Sequence, residues 1–253
     1  MKRNRFLKSL PFFAALLLGG QAFSQQAQPT PEQLEERRKK ADERFHNDWA
    51  NLAKYAPENS ALPPVAKGEK RVVFMGNSIT EGWKNADSSF FAARGYIDRG
   101  ISGQTTPQML VRFRPDVIEL KPAVVVILAG INDIAQNTGP MTLEQTFGNL
   151  VSMAELAKAN GIKAVLCSVL PAYDFPWRPG LQPAEKVVKL NAMIRSYAAK
   201  NKLVYVDYFA VMADSRNGLK TELTHDGVHP TLAGYKVMEP LVDQGIAAAL
   251  RQK

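Results

Sequence analysis

Cysteine is almost missing from this chain of 253 residues: Cys167 stands alone, inside the apolar run KAVLCSVL. One thiol closes no intramolecular disulfide, so stability must come from a packed core, and a thiol in such a run reads as buried and inert. Long hydrophobic runs are missing too. The longest, LPFFAALLLGG, is about half of the ~20 residues that a membrane span requires. Beyond the first two dozen residues the one basic run, RRKK, is flanked by acids within EERRKKADER, and the domain after it has no Lys/Arg-dense run, hence no footprint for nucleic acid or an anionic membrane surface. Internal repeats and low-complexity tails are likewise absent.

What is present begins with a unit of its own. Lys2, Arg3, Arg5 and Lys8 precede the apolar run, and Ala22-Phe23-Ser24 follows it as a small-x-small cleavage signal. This is the pattern of a secretory signal peptide over residues 1–24, and no cysteine follows it to accept a lipid. The formal charge of +8 is mostly in this leader, since removing its four basic and no acidic residues leaves 28 against 24, or +4. The expected product is periplasmic or secreted, with no membrane insertion after cleavage. Its roughly 229 residues suffice for one well-buried domain.

Residues 25–69 are expected to form a charged helix and a connector. Between Pro31 and Tyr55, Leu34, Phe45, Trp49, Leu52 and Tyr55 recur among charges at partly helical spacing, which predicts a helix docking its C-terminal half. The charge cluster EERRKKADER reads as a solvated face, and the prolines of APENSALPPVAKGEK read as a connector. From Lys70 on, five β-branched runs (RVVFMG, YIDRGI, AVVVILAG, KAVLCSVL, LVYVDY) alternate with predicted helices near 80–93, 105–119, 142–160, 184–201 and 231–250. That alternation predicts an α/β fold for residues 70–253, a three-layer α/β/α sandwich around a five-stranded parallel sheet. Its site belongs at the carboxyl ends of the strands.

Four of those strand ends carry polar clusters. GNSIT places Ser78 after the first strand, RGISGQTT places Gly103 after the second, AGIND places Asn132 and Asp133 after the third, and THDGVHP follows the fifth with Asp226 and His229. These residue types suit acyl transfer. A serine hydroxyl becomes a competent nucleophile when a neutral imidazole takes its proton. Asp226, three residues before His229, is placed to bind one ring nitrogen and leave the other facing Ser78. The backbone N–H groups of Ser78 and Gly103 and the Asn132 amide supply donors for an oxyanion.

Taken singly, each residue has an ordinary role. Ser78-Ile79-Thr80-Glu81 fits a capping box, Gly103 suits a turn with positive φ, Asn132-Asp133 suits an Asx turn, and Asp226-Gly227 is a common turn pair. His225 also neighbours Asp226 and competes with His229, whereas His46 lies in the charged helix. These roles are independent of one another and leave the coincidence at four strand ends unexplained.

In this order the four segments resemble the GDSL/SGNH hydrolase superfamily of esterases and lipases, over roughly residues 70 to 250. The resemblance implies a flavodoxin-like SGNH fold, Ser78 as nucleophile, Asp226 and His229 completing a triad, and Ser78, Gly103 and Asn132 as the oxyanion hole. It implies no cofactor and no metal. One position departs from the pattern: Asn77 stands where the family name expects aspartate, keeping a hydrogen-bonding side chain without the charge. Asp133 is read as holding its loop.

GNSIT in a chain of this size looks like the platelet-activating-factor acetylhydrolase-like and carbohydrate acetylesterase branches, which implies removal of short acyl groups. The loop PAYDFPWRPG adds Tyr173, Trp177 and Arg178 as expected substrate contacts, its aromatics either stacking on a sugar or packing the loop. The expected protein is an exported serine esterase acting on short-chain, above all acetyl, esters of carbohydrate. A lysophospholipase or general short-chain esterase is the alternative, and a glycan-binding module on the same fold is a further one. Nothing in the sequence specifies the oligomeric state.

Overall fold

Valine and isoleucine runs become five parallel strands: β1 (Val72–Gly76), β2 (Tyr96–Gly100), β3 (Val124–Leu128), β4 (Lys163–Cys167) and β5 (Val204–Val206). The computed structural model describes residues 30–252, so the predicted leader lies outside the described residues. Strand order is β2-β1-β3-β4-β5. β1 and β3 are buried along their whole length, which is why their sequences are continuously apolar rather than alternating. The order reverses between β1 and β3, and the crevice outside the carboxyl ends at such a switch point is where open α/β sheets bind ligands.

Helices cover both faces. On one side lie α3 (Ser78–Ala86), α4 (Ser88–Arg94) and α10 (Leu232–Arg251); on the other, α5 (Thr106–Asp116), α7 (Leu143–Ala159) and α8 (Pro183–Lys200) pack in succession. Trp83 joins the first group to the sheet, stacked on Phe90 and Tyr235 with ring centroids 5.2 and 5.5 Å away and edge-on to Phe74. Cys167 is buried, and burial pushes its thiol up to about 12.

The structure departs from the sequence reading in several local ways. The single helix expected near 80–93 is two helices, because the Asp87 carboxylate accepts from the Phe90 N–H and Ser89 hydroxyl and starts a new one. Two short helices, α6 (Ile131–Ile134) and α9 (Tyr208–Met212), carry too little periodicity to be read. The connector also holds a helix, α2 (Ala56–Ala61), with proline in its first turn. The described residues fall into two units, the first ending at Ala41 and the second beginning at Asp42. The N-terminal helix, α1 (Pro31–Asn47), opens with Thr30 and Gln33 bonding reciprocally and stops eight residues short of Tyr55. Phe45 and Leu52 are exposed; Ala50 and Tyr55 are buried, so within the second unit it is the turn after α1 that is packed.

Asp98 in β2 is a buried carboxylate whose Oδ1 accepts from the Gly100 N–H at 2.8 Å while Oδ2 has no partner among the described residues. Burial pushes its pKa up to about 6, from about 3.8 for an ordinary aspartate. Between those values the folded state binds the extra proton, so this group's contribution is full below about pH 4 and is lost as pH rises through 6. Asp98→Asn cannot titrate. The Tm of the variant minus that of the wild type is therefore expected to increase from pH 4 to pH 7, and a constant difference in a thermal-melt series would refute this.

Candidate active site

The first helix after β1 starts on Asn77, not Ser78. Asn77 Oδ1 accepts the Ile79 N–H at 3.0 Å, so the expected capping box at Ser78 and Glu81 does not form. Glu81 instead accepts from the Ser102 N–H and hydroxyl and pairs with Lys54. Asparagine in this buried place caps the helix without burying a negative charge beside the serine. The Ser78 hydroxyl is thereby left for other work: it lies 3.0 Å from Nε2 of His229.

His229 is oriented from behind. Its Nδ1 donates to Oδ2 of Asp226 at 2.7 Å, while Oδ1 of the same carboxylate accepts the backbone N–H groups of Val228 and His229 at 2.9 and 2.8 Å. Partial burial pushes the Asp226 carboxyl up, but these bonds outweigh it and hold the group below its ordinary range. The ring tautomer that donates to Asp226 presents its lone pair to the serine hydroxyl. His225, the competing histidine, is exposed and has no hydrogen-bond partner among the described residues. A turn built by Asp226 thus separates the two imidazoles that the sequence places four residues apart.

The neighbouring strand ends supply donors. Gly76 pairs in register with Gly100 and Leu128, so the segments bearing Ser78, Gly103 and Asn132 leave the sheet side by side. Gly100 permits the close approach of α3, since a Cβ there would meet the Glu81 backbone nitrogen at 2.2 Å. Gly103 has φ of +78°, a left-handed conformation that suits glycine. Its N–H donates to nothing among the described residues, and Ser78, at the first helical position, has an N–H with no intrahelical partner. One Asn132 amide hydrogen goes to the Gln104 carbonyl at 2.9 Å; the other is unclaimed among the described residues. Asp133 takes the Thr106 N–H and hydroxyl and so holds the start of α5.

The aromatic loop after β4 meets the site at one point. Trp177, half-exposed, lies with its ring centroid 5.9 Å from that of His229, backed by Phe175. Tyr173 is exposed and carries the Arg216 guanidinium over its ring at 4.6 Å. Arg178, expected at the substrate, instead donates through Nη1 to the carbonyls of Ala135 and Gln136 at 2.8 and 2.7 Å, pinning the loop to the end of α6. A cavity of about 450 Å³ lined by Tyr173, Phe175, Pro176, Arg216, Thr224 and Asp226 opens beside this loop and reaches Asp226 rather than Ser78.

A parallel α/β sandwich with a serine, a histidine and a carboxylate in hydrogen-bonded series at its strand ends defines the class of ester hydrolases built on a flavodoxin-like sheet. Within that class the chain belongs to the GDSL-like lipase/acylhydrolase family, whose model matches residues 74–237, and it is a carboxylic ester hydrolase. It is 54% identical to a GDSL-like lipase of Bacteroides thetaiotaomicron VPI-5482 in a crystal structure, with a TM-score of 0.78 over 80% of this chain and 100% of that one. Esterase TesA of Pseudomonas aeruginosa is 30% identical over 170 residues, 66% of this chain and 78% of its own. An acetylxylan esterase from Geobacillus stearothermophilus shares the fold at 20% identity, with a TM-score of 0.57 over 73% of this chain and 97% of that one.

Proposed function

We propose that this chain is an exported serine esterase that removes short acyl groups, acetyl above all, from carbohydrate esters through an acyl-serine intermediate. The observation that carries the reading is the Ser78 hydroxyl set against an imidazole that Asp226 orients, with three unclaimed N–H donors on the adjoining strand ends. Ser78 Oγ attacks the acyl carbonyl while its proton passes to Nε2 of His229, and Asp226 stabilises the imidazolium. The Ser78 and Gly103 N–H groups and the Asn132 amide receive the oxyanion. His229 then protonates the departing sugar oxygen. Water, deprotonated by the same imidazole, attacks the acyl-serine and releases the acid.

Short acyl groups are favoured because the sequence has no long apolar lid to cover an alkyl chain. Trp177, exposed beside the imidazole, offers a ring face where the alcohol part of the substrate would leave. The acetylxylan esterase on the same fold supports a sugar ester as substrate. Export rests on the leader pattern, and no helix among the described residues is long and apolar enough to cross a membrane.

Hydrolysis of p-nitrophenyl acetate, butyrate and octanoate, with acetylated xylan as competitor, tests the substrate range. Turnover falling with chain length and inhibited by acetylated xylan is expected. A preference for octanoate would replace this reading with a lipase-like or lysophospholipase one.

A further inference from the structure

The turn after α1, residues 48–55, precedes the matched family region yet reaches the loop that carries Gly103. Its own shape is fixed locally: the Asp48 carboxylate accepts the Leu52 and Ala53 N–H groups at 2.8 and 2.9 Å. From there it makes four ties. The Ala50 carbonyl accepts Nε2 of Gln104 and the Trp49 carbonyl accepts Nε2 of Gln108, both at 2.7 Å. Lys54 pairs with Glu81, whose other oxygen holds the Ser102 N–H at 2.7 Å. The Tyr55 hydroxyl donates to the Gly100 carbonyl, and the Arg99 guanidinium lies over the Tyr55 ring at 4.6 Å.

Gln104 is the hub of these ties. Its carbonyl holds the Asn132 amide at 2.9 Å, and its Oε1 accepts Nε of Arg112, a fully buried guanidinium that also donates to the Gly76 carbonyl at 2.9 Å, two residues before Ser78. The amide of Asn132, through the Gln104 carbonyl, and the peptide leading into Ser78, through Arg112 and the Gln104 side chain, are thus tied to the residue that follows Gly103, and its side chain is anchored on Ala50. An oxyanion hole requires donors fixed before charge develops, and a misplacement of about 1 Å costs on the order of a hundredfold in rate. Gly103 is itself exposed, so its loop needs such anchoring.

We infer that residues 48–55 are a positioning strap, which sets the oxyanion donors by holding Gln104, Gln108 and Glu81 in place. The inference rests on the serine-esterase reading above. In it Gln104, Gln108 and Lys54 are positioning residues and touch no substrate.

The carbonyls of Trp49 and Ala50 cannot be removed by substitution, but their partners can. Gln104→Glu keeps an acceptor for Arg112 and loses the donor to Ala50; Gln108→Glu keeps the bond to the Thr105 N–H and loses the donor to Trp49. Lys54→Met cuts the outer tie at a partly exposed side chain, and Lys54→Arg restores it. In the otherwise intact chain, kcat on p-nitrophenyl acetate is expected to fall by about ten- to a hundredfold in the two glutamate variants, at unchanged KM. A smaller fall is expected for Lys54→Met and near-normal turnover for Lys54→Arg. The inhibition constant of phenylboronic acid, whose boron accepts the serine oxygen as the serine proton passes to His229, should rise by the factor lost from kcat/KM.

Wild-type kcat in all three uncoupled variants would overturn the strap. So would a loss of kcat with unchanged boronate affinity, which marks a smaller folded fraction and not a displaced donor. Turnover that persists in Ser78→Ala would instead overturn the serine-esterase reading itself.

Discussion

Replacing Ser78 or His229 by alanine is expected to lower kcat on p-nitrophenyl acetate by on the order of a millionfold, with the double replacement no worse than either alone. The reason is geometric. Ser78 Oγ and Nε2 of His229 are 3.0 Å apart, and each is inert in this chemistry without the other: among the described residues the hydroxyl bonds to no other base, and Nε2 to no other donor. Asp226→Ala is expected to cost less, on the order of ten-thousandfold, because its work is to select the tautomer and stabilise the imidazolium. His225→Ala should retain most of the activity, since this ring is exposed and lies away from Asp226's bonds. Steady-state kinetics on the four single variants and the double decide the matter, and greater damage from His225→Ala than from His229→Ala would reassign the base.

Asn132→Ala is expected to reduce kcat by about a hundred- to a thousandfold, equivalent to about 2.7–4 kcal/mol of transition-state stabilisation, with KM changed little. The split between the two constants follows from when the donor is used. A carbonyl oxygen in the bound ester draws weakly on the Asn132 amide, whereas the oxyanion draws on it fully. Asn132 is buried and held by the Gln104 carbonyl, so its amide is aimed before substrate arrives and no reorganisation is needed during attack. A rise in KM matching the fall in kcat/KM, with kcat intact, would mean that Asn132 binds substrate and leaves the transition state to others.

Much of the fold could be read from local pattern. Continuous valine and isoleucine runs betray strands covered on both faces, and the helices expected from 142 and 231 begin within a residue of those positions, at Leu143 and Leu232. The split of the 80–93 helix was hidden because Asp87 acts as a cap only when its carboxylate turns back onto Phe90. The capping box at Ser78 misled for the same kind of reason: Asn77 and Ser78 are both good caps, and the structure gives the role to Asn77, whose side chain turns onto the Ile79 N–H.

The polar clusters at four strand ends, their order and the residue types in them were legible as well. Arg178 shows the limit. Its charge and its place in an aromatic loop suggest a substrate contact, yet the carbonyls left over at the end of α6 claim it. The bonds from Gln104 and Gln108 to the carbonyls of Ala50 and Trp49, and from Arg112 to that of Gly76, leave no pattern in the sequence, because these partners lie tens of residues away in the chain.

By itself, then, the sequence determined what is periodic or compositional: a parallel α/β sheet, five strands, a leader-like N-terminus and the chemistry available at each strand end. Periodicity is local, and a local pattern survives in one dimension. Only the tertiary structure decided which hydroxyl meets which imidazole, which asparagine caps a helix and which donates across a loop, and that a turn outside the family region holds the loop of Gly103. Those choices depend on distances between segments that the chain order does not encode, set when the sheet stacks its strands in the order β2-β1-β3-β4-β5.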